Sequence, residues 1–137
     1  MKATVELQKN VNFRAKSGTG HIIEMDGPAD FGGENLGARP MEVMLIGMGG
    51  CASFDVVHIL RKRRLVVTGC IAEIEAERAD VDPKVFTKIH LHFKVSGESL
   101  TDKAVAKAVE LSAEKYCSAS IMLGKTADIS HSYEIVE

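Results

Sequence analysis

The sequence predicts one α+β domain in which a long apolar helix packs against antiparallel strands. Its 137 residues suit a single domain, and 45% hydrophobic with 26% charged residues is typical of a globular chain. Several segments alternate polar and apolar residues with period two, whereas one central segment is apolar on all sides. This pattern predicts segregated helices and sheets in the order β-β-α-β-β-α-β, to which short elements can be added.

The charge balance argues against nucleic-acid binding. Basic residues number 17 and acidic residues 19, so the net charge of −2 provides no overall basic field. The longest apolar stretch, which Glu42 and Asp55 interrupt, is expected to be too short to span a bilayer. The first residues lack the apolar core of a signal peptide, so we expect a soluble cytoplasmic protein.

The three cysteines, Cys51, Cys70 and Cys117, point to a reducing compartment. An odd and sparse set is not a secreted disulfide framework, and no two are spaced as the Cys-x-x-Cys of a zinc or redox motif. Each cysteine is therefore expected to be either a core residue or a reactive thiol.

The N-terminal segment, about residues 1–37, predicts strands and loops. Polar and apolar residues alternate at 4–8, and a second strand pattern follows at 21–25. The glycines in 16–20 favour a hairpin turn rather than a phosphate-binding loop, because no third glycine and no helix follow them. Residues 31–37 predict a glycine-rich loop.

The central helix is expected over about residues 40–61. Pro40 suits a first helical position, where its missing N–H costs nothing. Because apolar side chains surround the segment, the pattern predicts a helix buried on every face. The basic run 61–64 complements the dipole at the C-terminal end.

A hairpin over about residues 65–96 is expected next. Its first strand carries glutamates on one face, and its second carries basic residues on the matching face, which favours an antiparallel pair. The second strand is expected to bury Ile89, Leu91, Phe93 and Val95. A second helix follows at about 101–117, capped by Ser99 or Thr101, and a last strand at about 128–136.

Cys51 is the first candidate for chemistry. It follows Gly49 and Gly50 inside the predicted helix, where two glycines carry an intrinsic cost and so need a reason. Bare backbone would let another chain segment or a substrate approach the thiol. Tight helix packing, with Cys51 as a small core residue, explains the same pattern.

Cys117 is the second candidate, and Cys70 is expected to be inert. Cys117 ends one helix and precedes Ser118 and Ser120, which can cap a following turn. A thiol near a helix N-terminus has a lowered pKa, although simple packing also explains the position. Cys70 lies on the inward face of a strand.

Four other residues suggest weaker alternatives. Asp55 and His58 are three apart on the helix, so a carboxylate could orient a base, or the pair could simply be hydrogen-bonded. His90 and His92 share a strand face and could ligate a metal, although they are also suited to pair with glutamates of the facing strand. A hydrolytic or metal site made from all four is a minor alternative, since nothing in the sequence places them together.

Two stretches together resemble the OsmC/Ohr family of thiol-dependent hydroperoxide reductases. Residues 38–57, with proline and glutamate, then apolar residues, then Cys51, are similar to the family's central helix. Their Gly-Gly-Cys-x-x-x-Asp-Val ending resembles the YhfA-like branch. Residues 116–120 are similar to the context of the family's second cysteine.

The resemblance implies both a fold and a reaction. The fold would be an intertwined α+β homodimer, with a long buried central helix wrapped by antiparallel sheets. Cys51 would be the peroxidatic thiol, which a hydroperoxide oxidises to sulfenic acid, and Cys117 the resolving thiol, which forms a disulfide with it. An external dithiol similar to dihydrolipoamide would reset the enzyme, and the chemistry would need no metal or bound cofactor.

The resemblance also implies an arginine and a glutamate that stabilise the Cys51 thiolate. Glu42 is the candidate glutamate, although Met41 stands directly after Pro40, where other branches have the glutamate. Arg14 is the candidate arginine, with Arg39 as the alternative. If neither arginine reaches Cys51, peroxidase activity is expected to be weak or absent. The alternative function, which Met41 favours, is a non-catalytic dimeric protein of the same fold that binds small molecules or senses redox state.

Overall fold

A computed structural model describes all residues 1–137 and confirms the α+β fold class. The chain forms two compact units, Met1–Ile46 and Gly47–Glu137. The helices and strands, in chain order, are β1 (Ala3–Lys9), β2 (Asn12–Ser17), β3 (Ile22–Met25), α1 (Pro40–Lys62), β4 (Val66–Arg78), β5 (Phe86–Glu98), α2 (Asp102–Leu111), α3 (Ser118–Leu123) and β6 (Asp128–Ile135). A 3₁₀ turn (Ala29–Phe31) precedes α1, and a π-helical turn (Ser112–Tyr116) joins α2 to α3.

The N-terminal unit contains an antiparallel sheet in the order β1-β2-β3. The hairpin turn predicted over 16–20 is confirmed, since β2 ends at Ser17 and Gly20 has a φ of 93°. The sequence prediction missed one strand, because a second tight turn separates β1 from β2. Asn10 makes that turn with a φ of 51°, a conformation that asparagine tolerates better than most residues.

A buried carboxylate holds the loop between β3 and α1. Asp26 is 1% exposed and accepts hydrogen bonds from the backbone N–H groups of Gly27 (2.8 Å), Glu34 (3.0 Å) and Leu36 (3.1 Å). These bonds, led by that from Leu36, hold the pKa of Asp26 below its ordinary value. The carboxylate form is therefore part of the folded loop.

Replacing Asp26 with asparagine is expected to lower the urea midpoint of unfolding at neutral pH. A carboxyl whose pKa is lowered by folding stabilises the fold above its unfolded pKa, about 3.9, and that stabilisation is lost as pH falls through the folded pKa. The difference between the wild type and Asp26→Asn should therefore shrink in acid. Asp30→Asn, which alters an exposed carboxyl of the same loop, is the control. Equal midpoints for all three proteins at pH 7 would contradict the prediction.

The C-terminal unit contains a sheet in the order β4-β5-β6. β4 and β5 form the predicted antiparallel hairpin, with Glu73 opposite His92 and Ile74 opposite Leu91. β6 pairs with β5 in parallel, so this sheet is mixed rather than wholly antiparallel as expected. The helices between β5 and β6 explain the difference, because a parallel return needs a long crossover.

The core of this unit lies between α1, α2 and one face of β5. The inward residues predicted for β5 are confirmed, since Leu91, Phe93 and Val95 are fully buried and Ile89 is 1% exposed. From α2, Val105 and Ala108 are also fully buried.

Only one face of α1 is buried within the chain, which corrects the prediction of a helix buried on all sides. The buried positions are the neighbours Met48 and Gly49, followed at steps of three or four residues by Ala52, Val56 and Leu60. Phe54 on another face is 69% exposed. The apolar pattern around the helix therefore exceeds what one chain covers.

The length of α1 also corrects an expectation. The helix has 23 residues and reaches a mean hydropathy of 1.7 over its most apolar window, so by length and composition it could cross a membrane. Glu42 and Asp55 lie within α1, and neither residue interrupts the helix. The core helix of a soluble protein meets the same criterion.

The crossover from β5 to β6 begins with the α-helix α2 and continues as a π-helical turn. Thr101, rather than Ser99, caps α2, because its hydroxyl accepts a hydrogen bond from the N–H of Ala104 at 3.2 Å. The predicted helix over 101–117 is α-helical only to Leu111. It continues as the π-helical turn, in which the N–H of Cys117 donates to the carbonyl of Ser112 at 2.9 Å.

Candidate functional site

Helices α1 and α3 bring Cys51, Asp55 and Cys117 together, and all three residues belong to the C-terminal unit. Cys51 and Asp55 are four residues apart on α1 and so share a face, and Cys117 directly precedes α3. The two sulfur atoms and a carboxylate oxygen of Asp55 all lie within 4.8 Å of one another. Cys117 is fully buried, whereas Cys51 and Asp55 are half-buried and can be reached from solvent. No disulfide joins any of the three cysteines.

The Cys117 sulfur caps α3. It accepts a hydrogen bond from the N–H of Ser120 at 3.4 Å. Burial nevertheless raises the pKa of the Cys117 thiol; the polar groups of Ser120 oppose the shift, and the neighbouring Cys51 adds to it. The lowered pKa expected from the helix N-terminus was therefore wrong, because desolvation outweighs one short helix.

A serine from the π-helical turn contacts Asp55. The Ser112 hydroxyl is placed to donate to the carbonyl of Ala52 at 3.2 Å and lies 3.5 Å from the Asp55 carboxylate. Burial raises the pKa of Asp55, while the contact with Ser112 and the positive potential of His58 oppose that shift. The site therefore holds a carboxyl group that retains its proton to a higher pH than an exposed aspartate.

Asp55 and His58 do not form the orienting pair that the sequence suggested. The exposed His58 ring stacks on Phe54, with ring centroids 5.6 Å apart and planes 7° from parallel. His58 and Asp55 form no hydrogen bond with each other. The sequence linked Asp55 with His58, and it gave no sign that Asp55 lies beside Cys117, which is far along the chain.

His90 and His92 form a hydrogen-bonded row with β6 rather than a metal site. His90 Nδ1 lies 2.6 Å from Ser130 Oγ, and His92 Nδ1 lies 2.7 Å from Ser132 Oγ. The expected register is confirmed, since His92 and His90 lie opposite Glu73 and Glu75 of β4. The Glu73 carboxylate itself bonds to Lys94 at 2.8 Å. The four-residue alternative built on Asp55, His58, His90 and His92 is therefore not assembled.

Cys70 lies apart from this cluster, at a cavity of about 410 Å³ between α1 and β4. It is half-buried, and burial raises the pKa of its thiol, while a contact with Ser53 opposes the shift. The predicted inert role fits this environment, because a thiol with a raised pKa forms little thiolate at neutral pH.

The two glycines before Cys51 have different surroundings. A Cβ at Gly49 would lie 2.6 Å from the Ile74 Cδ1, so close packing of α1 on β4 explains this glycine. A Cβ at Gly50 would meet nothing within 4 Å. Packing within the chain therefore accounts for Gly49 only, and Gly50 leaves bare backbone next to the thiol.

The three residues predicted to activate Cys51 all make contacts within the N-terminal unit. Arg14 forms an ion pair with Glu24, which lowers the pKa of that glutamate. The Arg39 guanidinium lies 3.4 Å from the carbonyl oxygen of Gly37, and Glu42 accepts a hydrogen bond from the backbone N–H of Arg39 at 2.8 Å. Their role toward Cys51 stays a prediction.

The chain is similar to known proteins over nearly its full length. A family model described as OsmC-like protein matches residues 32–132, which include Cys51 and Cys117. Protein YhfA of Escherichia coli strain K12 is 46% identical over 136 residues, covering 99% of this chain and 98% of that protein. The crystal structure of a hypothetical protein from Aquifex aeolicus VF5 matches with a TM-score of 0.86. The two sequences are 31% identical, and the match covers 98% of this chain and 95% of that chain.

A more distant structure has the same fold. It is titled an organic hydroperoxide resistance protein OsmC from Legionella pneumophila, is 16% identical with a TM-score of 0.74, and is matched over 98% of this chain and 97% of that one. The family resemblance is thus confirmed by the family model and by the full-length sequence match, and the chain belongs to the OsmC-like protein family.

Proposed function

We propose that the protein is a thiol-dependent reductase of organic hydroperoxides that protects the cell against oxidative stress. The observation that carries the proposal is the approach of the Cys51 and Cys117 sulfur atoms to within 4.8 Å. Structures of the same fold that are titled organic hydroperoxide resistance proteins, from Legionella pneumophila and Elizabethkingia anophelis, support the substrate class.

The proposed reaction begins at Cys51. Its thiolate attacks one oxygen of the hydroperoxide, the O–O bond breaks, and the other oxygen leaves as an alcohol after it takes up a proton. Cys51 is then a sulfenic acid. The sulfur of Cys117 attacks the Cys51 sulfur, the S–O bond breaks, and water leaves with the proton of the Cys117 thiol. Two electrons have passed from the thiols to the peroxide, and an external dithiol returns them by exchange.

The site supplies the partners that this sequence of steps needs. Cys51 is half-buried and open to substrate, whereas Cys117 is fully buried beside it, so a sulfenic acid on Cys51 meets Cys117 before a second peroxide. A disulfide has an S–S distance of about 2.05 Å, so the two side chains must close the remaining gap. Arg14 or Arg39, held by Glu42 or another carboxylate, is proposed to stabilise the Cys51 thiolate.

A cytoplasmic homodimer is the proposed working form. Phe54 on α1 is 69% exposed, and the β1–β3 sheet exposes Val5 at 60% and Ile22 at 54%. Large exposed apolar side chains of this kind are found at protein–protein interfaces. A second copy of the chain that covers it would also explain why α1 is apolar on all sides.

The proposal is tested by adding one equivalent of cumene hydroperoxide to the reduced protein, followed by alkylation and peptide mass mapping without reductant. The expected product is a Cys51–Cys117 disulfide formed rapidly, with Cys70 alkylated. Cys70 serves as an internal control, because its thiol is also half-buried but lies apart from the pair. Cys51 that remains unreacted, or slow over-oxidation without a disulfide, would contradict the proposal.

A non-catalytic redox-sensing or ligand-binding protein of the same fold is the second candidate. The raised pKa of Cys117 favours it, because a thiol that keeps its proton attacks slowly and would leave the Cys51 sulfenic acid long-lived. In the experiment above, this alternative gives sulfenic acid on Cys51, which a dimedone probe traps, and little disulfide.

A further inference from the structure

We propose that the reduced protein binds one Zn²⁺ ion through Cys51, Asp55 and Cys117, and that this ion shields both thiols from peroxide. Zinc takes thiolate sulfur and carboxylate oxygen as ligands and favours four-coordinate tetrahedral geometry. The cluster supplies three such ligands, and the fourth position is left to water. The binding rests on the geometry of the site, and only its regulatory consequence rests on the proposed function.

The spacing of the three ligand atoms suits a single ion. In a tetrahedral site with Zn–S of about 2.3 Å, two sulfur ligands lie about 3.8 Å apart. The sulfur and oxygen atoms here lie within 4.8 Å of one another before any ion draws them together, so small side-chain rotations complete the site. Cys51 and Asp55 are separated by one helical turn, the arrangement that lets two side chains of one helix chelate a metal.

Neighbouring groups support two of the three ligands, Asp55 and Cys117. The Ser112 hydroxyl lies 3.5 Å from the Asp55 carboxylate, and the N–H of Ser120 donates to the Cys117 sulfur at 3.4 Å. Hydrogen bonds to ligand atoms orient them and stabilise their charged forms. The cluster is also the only group of three potential metal ligands at this spacing in residues 1–137.

The ion would offset an electrostatic cost in the reduced protein. Two sulfur atoms and a carboxylate oxygen lie within 4.8 Å of one another in a partly buried site, where like charges would repel one another. A divalent cation would neutralise the charge that the three ligands bring together.

Metal binding and peroxide reduction would exclude each other. Oxidation of both thiolates to a disulfide passes two electrons to the hydroperoxide, which takes up two protons and leaves as alcohol and water. The disulfide no longer offers two thiolates, so the Zn²⁺ ion is released. Conversely, a zinc-bound thiolate is a poorer nucleophile than a free one, so zinc would slow oxidation of the pair.

The test is a zinc titration of untagged, reduced protein in competition with a chromogenic chelator, with Zn²⁺ alone as the probe. We expect one equivalent bound by the wild type and at least about tenfold weaker binding by Cys51→Ser, Cys117→Ser and Asp55→Asn. Cys70→Ser and His92→Gln are the controls and should bind as the wild type does. The disulfide form should bind no zinc at this site.

The outcomes separate the two proposals. Absence of stoichiometric binding, or binding that survives Cys51→Ser and Cys117→Ser or is lost in His92→Gln, would overturn the zinc site whether or not the protein reduces peroxide. If zinc binds as expected but cumene hydroperoxide forms no disulfide, the zinc site stands and the reductase proposal fails. Circular dichroism of each variant checks that lost binding does not reflect lost folding.

Discussion

Cys51→Ser is expected to abolish turnover of cumene hydroperoxide, measured as consumption of a dithiol in a coupled assay. A serine hydroxyl stays protonated at neutral pH and, unlike a thiolate, is not oxidised by a hydroperoxide. The first step of the reaction therefore has no nucleophile. Because Cys51 is half-buried on the side of a stable helix, a serine of nearly the same size should leave the fold intact. The loss should therefore appear in the rate and not in the unfolding midpoint.

Cys117→Ser should separate oxidation from recycling. One equivalent of peroxide should still oxidise Cys51, but the sulfenic acid then has no neighbouring thiol, and repeated turnover through the disulfide stops. Cys70→Ser is the matched control, because it removes a thiol that lies apart from the pair, and it should retain wild-type turnover. Wild-type rates in all three variants would refute the thiol mechanism.

Phe93→Ala is expected to destabilise the protein by about 3–5 kcal/mol, measured by urea unfolding at fixed protein concentration. Phe93 is fully buried at the middle of β5, and its ring stacks on His131, with centroids 6.3 Å apart and planes 1° from parallel. Truncation removes the apolar contacts of a fully buried ring and opens a cavity that the paired strands on either side cannot easily close.

The control for this prediction lies on the same strand. Lys88 is exposed on the outward face of β5, so Lys88→Ala should change the unfolding free energy within about 0.5 kcal/mol. A loss below about 1 kcal/mol for Phe93→Ala would mean that the sheet is not the centre of the cooperative core.

The features that the sequence predicted well are those set by local periodicity. The alternation of Ile89, Leu91, Phe93 and Val95 predicted one buried face of β5, and the structure confirms it, because side chains in a strand point to opposite faces in turn. The start of α1 at Pro40 also agrees. Both depend on residues that are neighbours in the chain.

The features that the sequence did not predict depend on distant residues or on unusual backbone. The turn at Asn10 lacks a glycine, so the pattern gave no sign of it. The parallel pairing of β6 depends on the path of the crossover, which no local pattern encodes. The one-sided burial of α1 was missed because apolar periodicity reports which faces avoid water and not which chain covers them.

In the candidate site as well, the contacts between residues distant in the chain were not predicted from local sequence patterns. Cys51 and Cys117 were paired through resemblance to a family and not through any spacing in the chain. Asp55 was noticed, but its partner was sought three residues away, at His58, because only helical spacing was available as a guide. The approach of Asp55 to Cys117 depends on how α1 and α3 pack, and that packing had to be seen.

The π-helical turn determines the directions in which the side chains of Ser112 and Cys117 point. In an α-helix, residues five apart point about 140° away from each other around the axis. Here a bond from the Cys117 N–H to the Ser112 carbonyl, 2.9 Å long, closes one turn over five residues, so both side chains return toward α1. Because the π-helical turn contains one residue more than an α-helical turn, the Ser112 hydroxyl can lie near Asp55 while the Cys117 thiol lies near Cys51.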